Sequence, residues 1–180
     1  MKEIEAKVQV PDLAPFRNRL AAVGASFVSR ETQRDVYFNA SDRDFARTDE
    51  ALRVRYGGPQ ALLTYKGPKE AGSGYKARKE VNVQVDPGSA CEDLLTAVGF
   101  RPSAQVRKLR EEYRLRDVSV ALDAVEELGS FVEIEVCTDE VTESAMELIS
   151  AVQKEIGLAG PHIRESYLEL LKATRSEDRS

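Results

Sequence analysis

Two Glu-x-Glu pairs, Glu3/Glu5 and Glu133/Glu135, are the residues of this 180-residue chain whose type and spacing first suggest chemistry. In an extended strand alternate side chains point the same way, so each pair presents two carboxylates on one face. Carboxylate oxygens suit hard divalent cations such as Mg²⁺ or Mn²⁺. Basic residues follow the same period: Lys7 shares a face with Glu3 and Glu5, Arg53 with Arg55, Arg78 with Glu80, and Lys108 with Arg110, while Lys66 and Asp123 stand singly. Arginine offers a planar fork of donors that matches phosphate oxygens, and lysine a point charge. Acids and bases gathered on one surface would therefore suit a metal-bound polyphosphate.

The opposite faces of the same segments are apolar: Ile4, Ala6 and Val8; Leu52 and Val54; Val81 and Val83; Val132, Ile134 and Val136. Such alternation also describes an antiparallel sheet with one side in water. Two features favour an enclosed charged face. Arginine, lysine and glutamate dominate where a solvated sheet would carry more threonine and serine. Moreover, the strands are numerous enough to close, and an eight-stranded antiparallel barrel has room inside for one small ligand. Charges in a confined space carry a large desolvation cost unless they are neutralised by one another, by water or by a guest.

The elements that must position these residues repeat along the chain. Lys2–Pro11 is echoed by Lys79–Pro87, with Glu3 and Glu80 at matching places 77 residues apart. A helical segment follows each, closing on Leu20-Ala21-Ala22-Val23-Gly24 in the first half and Leu95-Thr96-Ala97-Val98-Gly99 in the second. Both glycines stand where a helix end favours a left-handed residue. Ser89 and Glu92 have the spacing of a capping box. Three more strands are expected in each half, over Arg34–Ala40, Ala51–Gly57 and Ala61–Gly67, then Gln105–Leu115, Val118–Ala124 and Phe131–Cys137. Gly57-Gly58-Pro59 reads as a hairpin turn. Asp139–Ile156 and Pro161–Ala173 read as terminal helices, and Pro68–Gly74 as a flexible loop, either a lid or a long hairpin end. The expectation is an α+β fold: a closed eight-stranded antiparallel β-barrel of two pseudo-repeated halves with flanking helices. It would form one domain over residues 1–173, with a polar tail over 174–180.

Composition narrows the function. A net charge of −5 offers no general basic field for a nucleic acid, and no apolar run approaches the roughly 20 residues that span a bilayer. The acidic start lacks the basic and apolar segments of a secretion signal, so a cytoplasmic location is expected. Two cysteines, Cys91 and Cys137, are too few for a disulfide framework and read as reduced, partly buried thiols. The single His162 excludes multi-histidine metal sites. Carboxylates, lysines and arginines must carry the chemistry.

Glu3-Ile4-Glu5-Ala6-Lys7 resembles the Glu-x-Glu-x-Lys signature of the CYTH family, the triphosphate tunnel metalloenzymes. Leu52-Arg53-Val54-Arg55, Tyr65-Lys66-Gly67-Pro68, Arg78-Lys79-Glu80, Lys108-Leu109-Arg110, Leu122-Asp123, the block from Leu128 to Glu135 and Ser166–Leu171 are similar to later blocks of that family, in its order. The resemblance implies that Glu3, Glu5, Glu133 and Glu135 bind metal, Mg²⁺ or Mn²⁺. It implies that Lys7, Arg53, Arg55, Lys66, Arg78, Lys108 and Arg110 clamp a triphosphate. Lys7, Glu80 and Asp123 would form the catalytic group, the two acids supporting the metal or orienting the bases. Lys79 alternates to the apolar side, as a snorkelling surface lysine would. Because Asn82 and Gln84 replace the second glutamate and the lysine of the echoed strand, the main metal site is expected toward Glu3 and Glu133. The closest likeness is to class IV adenylyl cyclases, implying conversion of ATP to 3′,5′-cyclic AMP and pyrophosphate, with a homodimer possible. Hydrolysis of thiamine triphosphate, inorganic triphosphate or a nucleoside triphosphate is the alternative, and a non-catalytic polyphosphate binder is a third. No nucleic-acid or membrane partner is expected.

Overall fold

The computed structural model describes residues 2–70, 76–138 and 142–177. Each half runs strand, helix and three strands. The first comprises β1 (Lys2–Val10), α1 (Ala14–Ala22), β2 (Ser26–Asn39), β3 (Ala51–Tyr56) and β4 (Ala61–Lys66). The second comprises β5 (Lys76–Val85), α2 (Gly88–Ala97), β6 (Arg101–Leu115), β7 (Val118–Val125) and β8 (Gly129–Thr138), after which α3 (Glu143–Glu155) and α4 (Tyr167–Glu177) follow. The eight strands close into an antiparallel barrel in the order β1-β5-β4-β3-β2-β6-β7-β8. Closure leaves no free sheet edge, and the period of two then sorts every strand into an inner and an outer face.

The outer faces make the apolar core. Ile4, Ala6, Val8, Val120, Leu122, Val132 and Ile134 pack with Phe16 and Leu20 of α1 and with Ile149 and Val152 of α3. On the other side Val36, Leu52, Val54 and Ala61 meet Cys91 and Leu95 of α2. α4 packs differently: its Tyr167 and Leu171 meet Tyr37, Val106, Val125 and Phe131, which by the period of two share the inner faces of Asp35, Lys108, Asp123 and Glu133. The barrel is thus apolar outside, under α1, α2 and α3, and charged inside except where α4 covers this cluster.

Both helix-ending glycines adopt positive φ, +77° at Gly24 and +100° at Gly99. The next amide in each case bonds back to the helix, Ala25 N to Leu20 O and Phe100 N to Leu95 O, both at 2.9 Å, which completes a Schellman closure.

Several boundaries differ from expectation. β2 begins at Ser26 rather than Arg34, because its first half pairs only with the long β6 and is largely exposed, without the buried alternation that marks a strand. β6 begins at Arg101, ahead of the expected Gln105. Pro102 is tolerated opposite Phe38, where the register shifts. The capping box at Ser89 and Glu92 does not form. The α2 cap is Pro87, with no side-chain cap, and Glu92 instead accepts from the Tyr56 hydroxyl. Residues 161–166 are not helical, since Ile163 N donates to Lys7 O at 2.8 Å and ties that segment to β1. α4 consequently starts at Tyr167 and takes Thr174–Glu177 of the expected tail into its last turn. α3 starts at Glu143, with Thr142 Oγ1 accepting from Ala145 N at 3.2 Å. Cys91 is buried, but Cys137 is exposed. Residues 71–74 of the expected flexible loop, 139–141 of the expected helix and 178–180 of the tail lie outside the described residues. Among the described residues, no helix is long and apolar enough to cross a membrane.

Candidate active site

The inner faces enclose a cavity of about 980 Å³, its mouth included, lined among the described residues by eight lysines and arginines and six glutamates. Every predicted triphosphate ligand lines it: Lys7, Arg53, Arg55, Lys66, Arg78, Lys108 and Arg110, together with Glu3, Glu5, Glu80, Glu133 and Glu135. Asp123 is fully buried behind this lining. Lys79 is exposed, as its outward register requires.

Barrel register explains why these residues meet. Lys7 faces Glu133 and Glu5 faces Glu135 across β1 and β8. Glu3 faces Arg78, and Glu5 faces Lys76, across β1 and β5. Lys66 faces Glu80, and Arg110 faces Asp123, on two further strand pairs. Apart from Glu5 and Glu135, these pairs set opposite charges directly across a ladder, where they attract, so the pattern that builds the sheet also builds the ion network.

Three sets of ion pairs result. Lys7 Nζ lies 2.9 Å from Glu5 and 3.4 Å from Glu133. It also donates to Glu165 O at 2.9 Å. Burial would lower the Lys7 pKa, but Glu5 and Glu133 outweigh it and hold the ammonium protonated beyond the ordinary lysine range. Lys66 pairs with Glu3, and with Glu80 at 2.6 Å. Burial pushes the Glu80 carboxyl up, yet hydrogen bonding from Glu3 and the charge of Lys66 carry it far below its usual value. Asp123 accepts from Lys108 at 2.9 Å and from Arg110 Nε at 2.8 Å, while Arg110 also reaches Glu133. Asp123 thus contacts two of the expected clamp residues. Burial and neighbouring Arg110 pull Lys108 down to about 7.

Two residues that sequence reasoning passed over complete the set. Asp35 accepts two hydrogen bonds from Arg55, both 2.7 Å, and one from Arg53 at 3.2 Å. Lys76 donates to Glu5 at 3.0 Å, and burial draws its pKa down to about 8. The spacing that pairs Arg78 with Glu80 extends back to Lys76, so Lys76 was detectable. Asp35 was detectable only as an isolated acid in a run of mixed polarity.

Among the described residues, no group of three or more acids, histidines or cysteines is arranged as a ready metal cage. The expected metal quartet is instead spread over facing strands with lysines and Arg110 between its members. The donor chemistry nevertheless fits a hard cation. Glu5 Oε1 and Glu80 Oε2 are buried with lysine ammonium groups as their ion-pair partners, Lys7 at 2.9 Å and Lys66 at 2.6 Å, and burial beside Glu3 raises the Glu135 carboxyl to about 8, as expected where negative charges crowd together. The buried Nε atoms of Arg53 and Arg78 also have no acceptor, and both residues line the cavity. The lumen thus holds crowded carboxylates suited to a cation and unsatisfied donors for an anion.

Comparison with known proteins agrees with this architecture. The CYTH domain matches residues 1–167. A Methanocaldococcus jannaschii protein provisionally named an adenylate cyclase, MJ0240, is 35% identical, covering 94% of this chain and 98% of its own. The solved structure of PH1819 from Pyrococcus horikoshii is 33% identical, with a TM-score of 0.82, and the match covers 96% of this chain and 99% of that one. A Hippeastrum protein provisionally called an adenylyl cyclase, HpAC1, and described as having a dominant triphosphatase activity, shares the fold at 22% identity and a TM-score of 0.73, covering 96% of each chain.

Proposed function

Because this chain belongs to the CYTH domain family, we propose that it is a divalent-metal-dependent enzyme that binds ATP in the barrel and converts it to 3′,5′-cyclic AMP and pyrophosphate. The observation that carries the reading is the lumen itself, where, among the described residues, eight cationic side chains converge from five of the strands, β1, β3, β4, β5 and β6, with six glutamates among them. A surplus of donors over acids suits a polyanion, and the glutamates suit the cation that accompanies it.

In this reading Arg53, Arg55, Lys66, Arg78 and Arg110 hold the phosphate oxygens and stabilise charge that develops as the α-phosphorus is attacked. Lys7 acts as a clamp rather than a base, because Glu5 and Glu133 keep it protonated. Glu3, Glu5, Glu133 and Glu135 would hold Mg²⁺ or Mn²⁺. The cation supplies Lewis-acid activation of the nucleophile and stabilisation of the leaving group. Asp35, Asp123 and Glu80 keep the basic groups aimed inward. Triphosphate hydrolysis is the second reading, supported by the triphosphatase activity attributed to the Hippeastrum protein of the same fold.

The two reactions differ in what they require of the ribose. A cyclase must hold the 3′-hydroxyl in line with the α-phosphorus, whereas a triphosphatase needs only the phosphate tail fixed. Incubation with ATP and with 3′-deoxy-ATP, in Mg²⁺ or Mn²⁺, followed by chromatography, separates them. Cyclic AMP from ATP alone is the expected result. Orthophosphate released equally from ATP, 3′-deoxy-ATP and tripolyphosphate, with no cyclic product, would establish hydrolysis instead.

A further inference from the structure

Tyr167, the first residue of α4, has three sets of partners that belong to the wall of the barrel. Its hydroxyl donates to Asp123 Oδ2 at 2.9 Å. Lys7 Nζ lies over its ring at 4.6 Å from the centroid, and Lys108 Nζ at 5.0 Å. Phe131 meets the ring edge-on, with centroids 5.0 Å apart. All four groups are nearly inaccessible to solvent, Lys7 at 2%, Lys108 at 3%, Asp123 at 0% and Tyr167 at 7% exposure.

Lys7 and Lys108 stand on β1 and β6, with β7 and β8 between them in the barrel. Two buried ammonium groups repel, and each could turn toward the nearest carboxylate instead of toward a ligand. One aromatic ring offsets that repulsion, since the negative face of a ring attracts a cation most strongly where water is excluded. The hydroxyl meanwhile occupies Asp123 Oδ2, which already accepts from Lys108, and so fixes the carboxylate that both Lys108 and Arg110 share. The peptide before the helix reinforces the arrangement from the other side, with Glu165 O accepting from Lys7 Nζ and Ile163 N donating to Lys7 O.

We infer that Tyr167 is a positioning residue of the triphosphate site: its ring holds Lys7 and Lys108 toward the lumen, and its hydroxyl holds Asp123. The inference rests on the proposed triphosphate binding, and it makes the start of α4 part of the binding apparatus rather than packing alone.

The test is the affinity for tripolyphosphate, measured by titration calorimetry in metal-free buffer so that turnover does not intrude, with thermal unfolding recorded for each variant. Tyr167→Phe keeps the ring and loses the hydroxyl, while Tyr167→Leu loses both. Replacing Tyr167 by phenylalanines of increasing fluorination weakens the ring's attraction for cations at nearly constant shape. The expected result is a small loss in Tyr167→Phe, a loss of roughly tenfold or more in Tyr167→Leu, and a stepwise decline along the fluorinated series. A merely structural role would lower the melting temperature of Tyr167→Leu but leave the fluorinated series flat. A flat series, or Tyr167→Phe as impaired as Tyr167→Leu, would overturn the role of the ring. Failure of the wild-type protein to bind tripolyphosphate both in that buffer and with Mg²⁺ or Mn²⁺ added would instead refute the triphosphate site, and the positioning role with it.

Discussion

Asp35→Asn removes the charge against which Arg53 and Arg55 are set. Three hydrogen bonds of 2.7, 2.7 and 3.2 Å converge on that carboxylate, which is 2% exposed. Removing one partner of a buried ion pair leaves the other uncompensated, at a cost of about 3–5 kcal/mol. The side chains of Arg53 and Arg55 retain 13% and 14% exposure to the lumen, so some hydration survives. The lower end, about 3 kcal/mol, is therefore the better figure. In a chain of this size each kcal/mol moves Tm by roughly 2–4 °C, and a fall of roughly 6–12 °C is expected in scanning calorimetry. Tripolyphosphate should recover part of that fall, because its oxygens take over the two guanidinium groups, and the ligand-induced rise in Tm should be larger in the variant than in the wild type. A Tm within about 2 °C of wild type, the scale of an ordinary surface change, would refute the argument that Asp35 is the counter-charge of the clamp.

Arg53→Ala and Arg55→Ala should each lower kcat by about 10²–10³, the usual cost of losing one donor to a developing oxyanion, and wild-type turnover in steady-state assays would return both residues to a purely structural role. Glu50 is held down to about 2 by hydrogen bonds from Arg43, Thr48 and Tyr65. Its folded pKa lies below its unfolded one, so its contribution is complete above about 4.5 and is lost as pH falls from there toward 2. Urea midpoints across that interval should fall less steeply in Glu50→Gln than in the wild type, and parallel slopes would contradict the assignment. Gly24→Ala places a side chain at φ +77° in open space, with nothing within 4 Å of the added carbon. The change should cost about 1 kcal/mol through backbone conformation alone, read as a small fall in the urea midpoint with an unchanged slope. No change at all would mean that the turn relaxes away from the left-handed region.

What the sequence determined by itself was the local and periodic part. Alternation of charge with Ile4, Ala6 and Val8, or with Val132, Ile134 and Val136, assigned each strand two faces, because the strand period of two is a property of the backbone. The repeated Lys-Glu opening, the helix-ending glycines Gly24 and Gly99 and the ordered motifs then pointed to two halves of one barrel. The same reasoning misjudged places where a distant partner decides. Ser26–Glu31 are strand only because β6 runs alongside them. Glu92 leaves its capping position for Tyr56, a residue of another element. Residues 161–166 forgo a helix because Lys7 binds them through both its backbone and its side chain. In the site, Asp35 and Tyr167 carry no periodic signal linking them to the clamp: the register of β2 on β3 sets Asp35 opposite Arg55, and the closed barrel brings β1, β6 and β7 around the start of α4. Short-range periodicity is written in the chain because neighbouring backbone geometry enforces it. Which lysine shares which carboxylate is set by strand register and closure, which sum contributions from residues far apart in sequence.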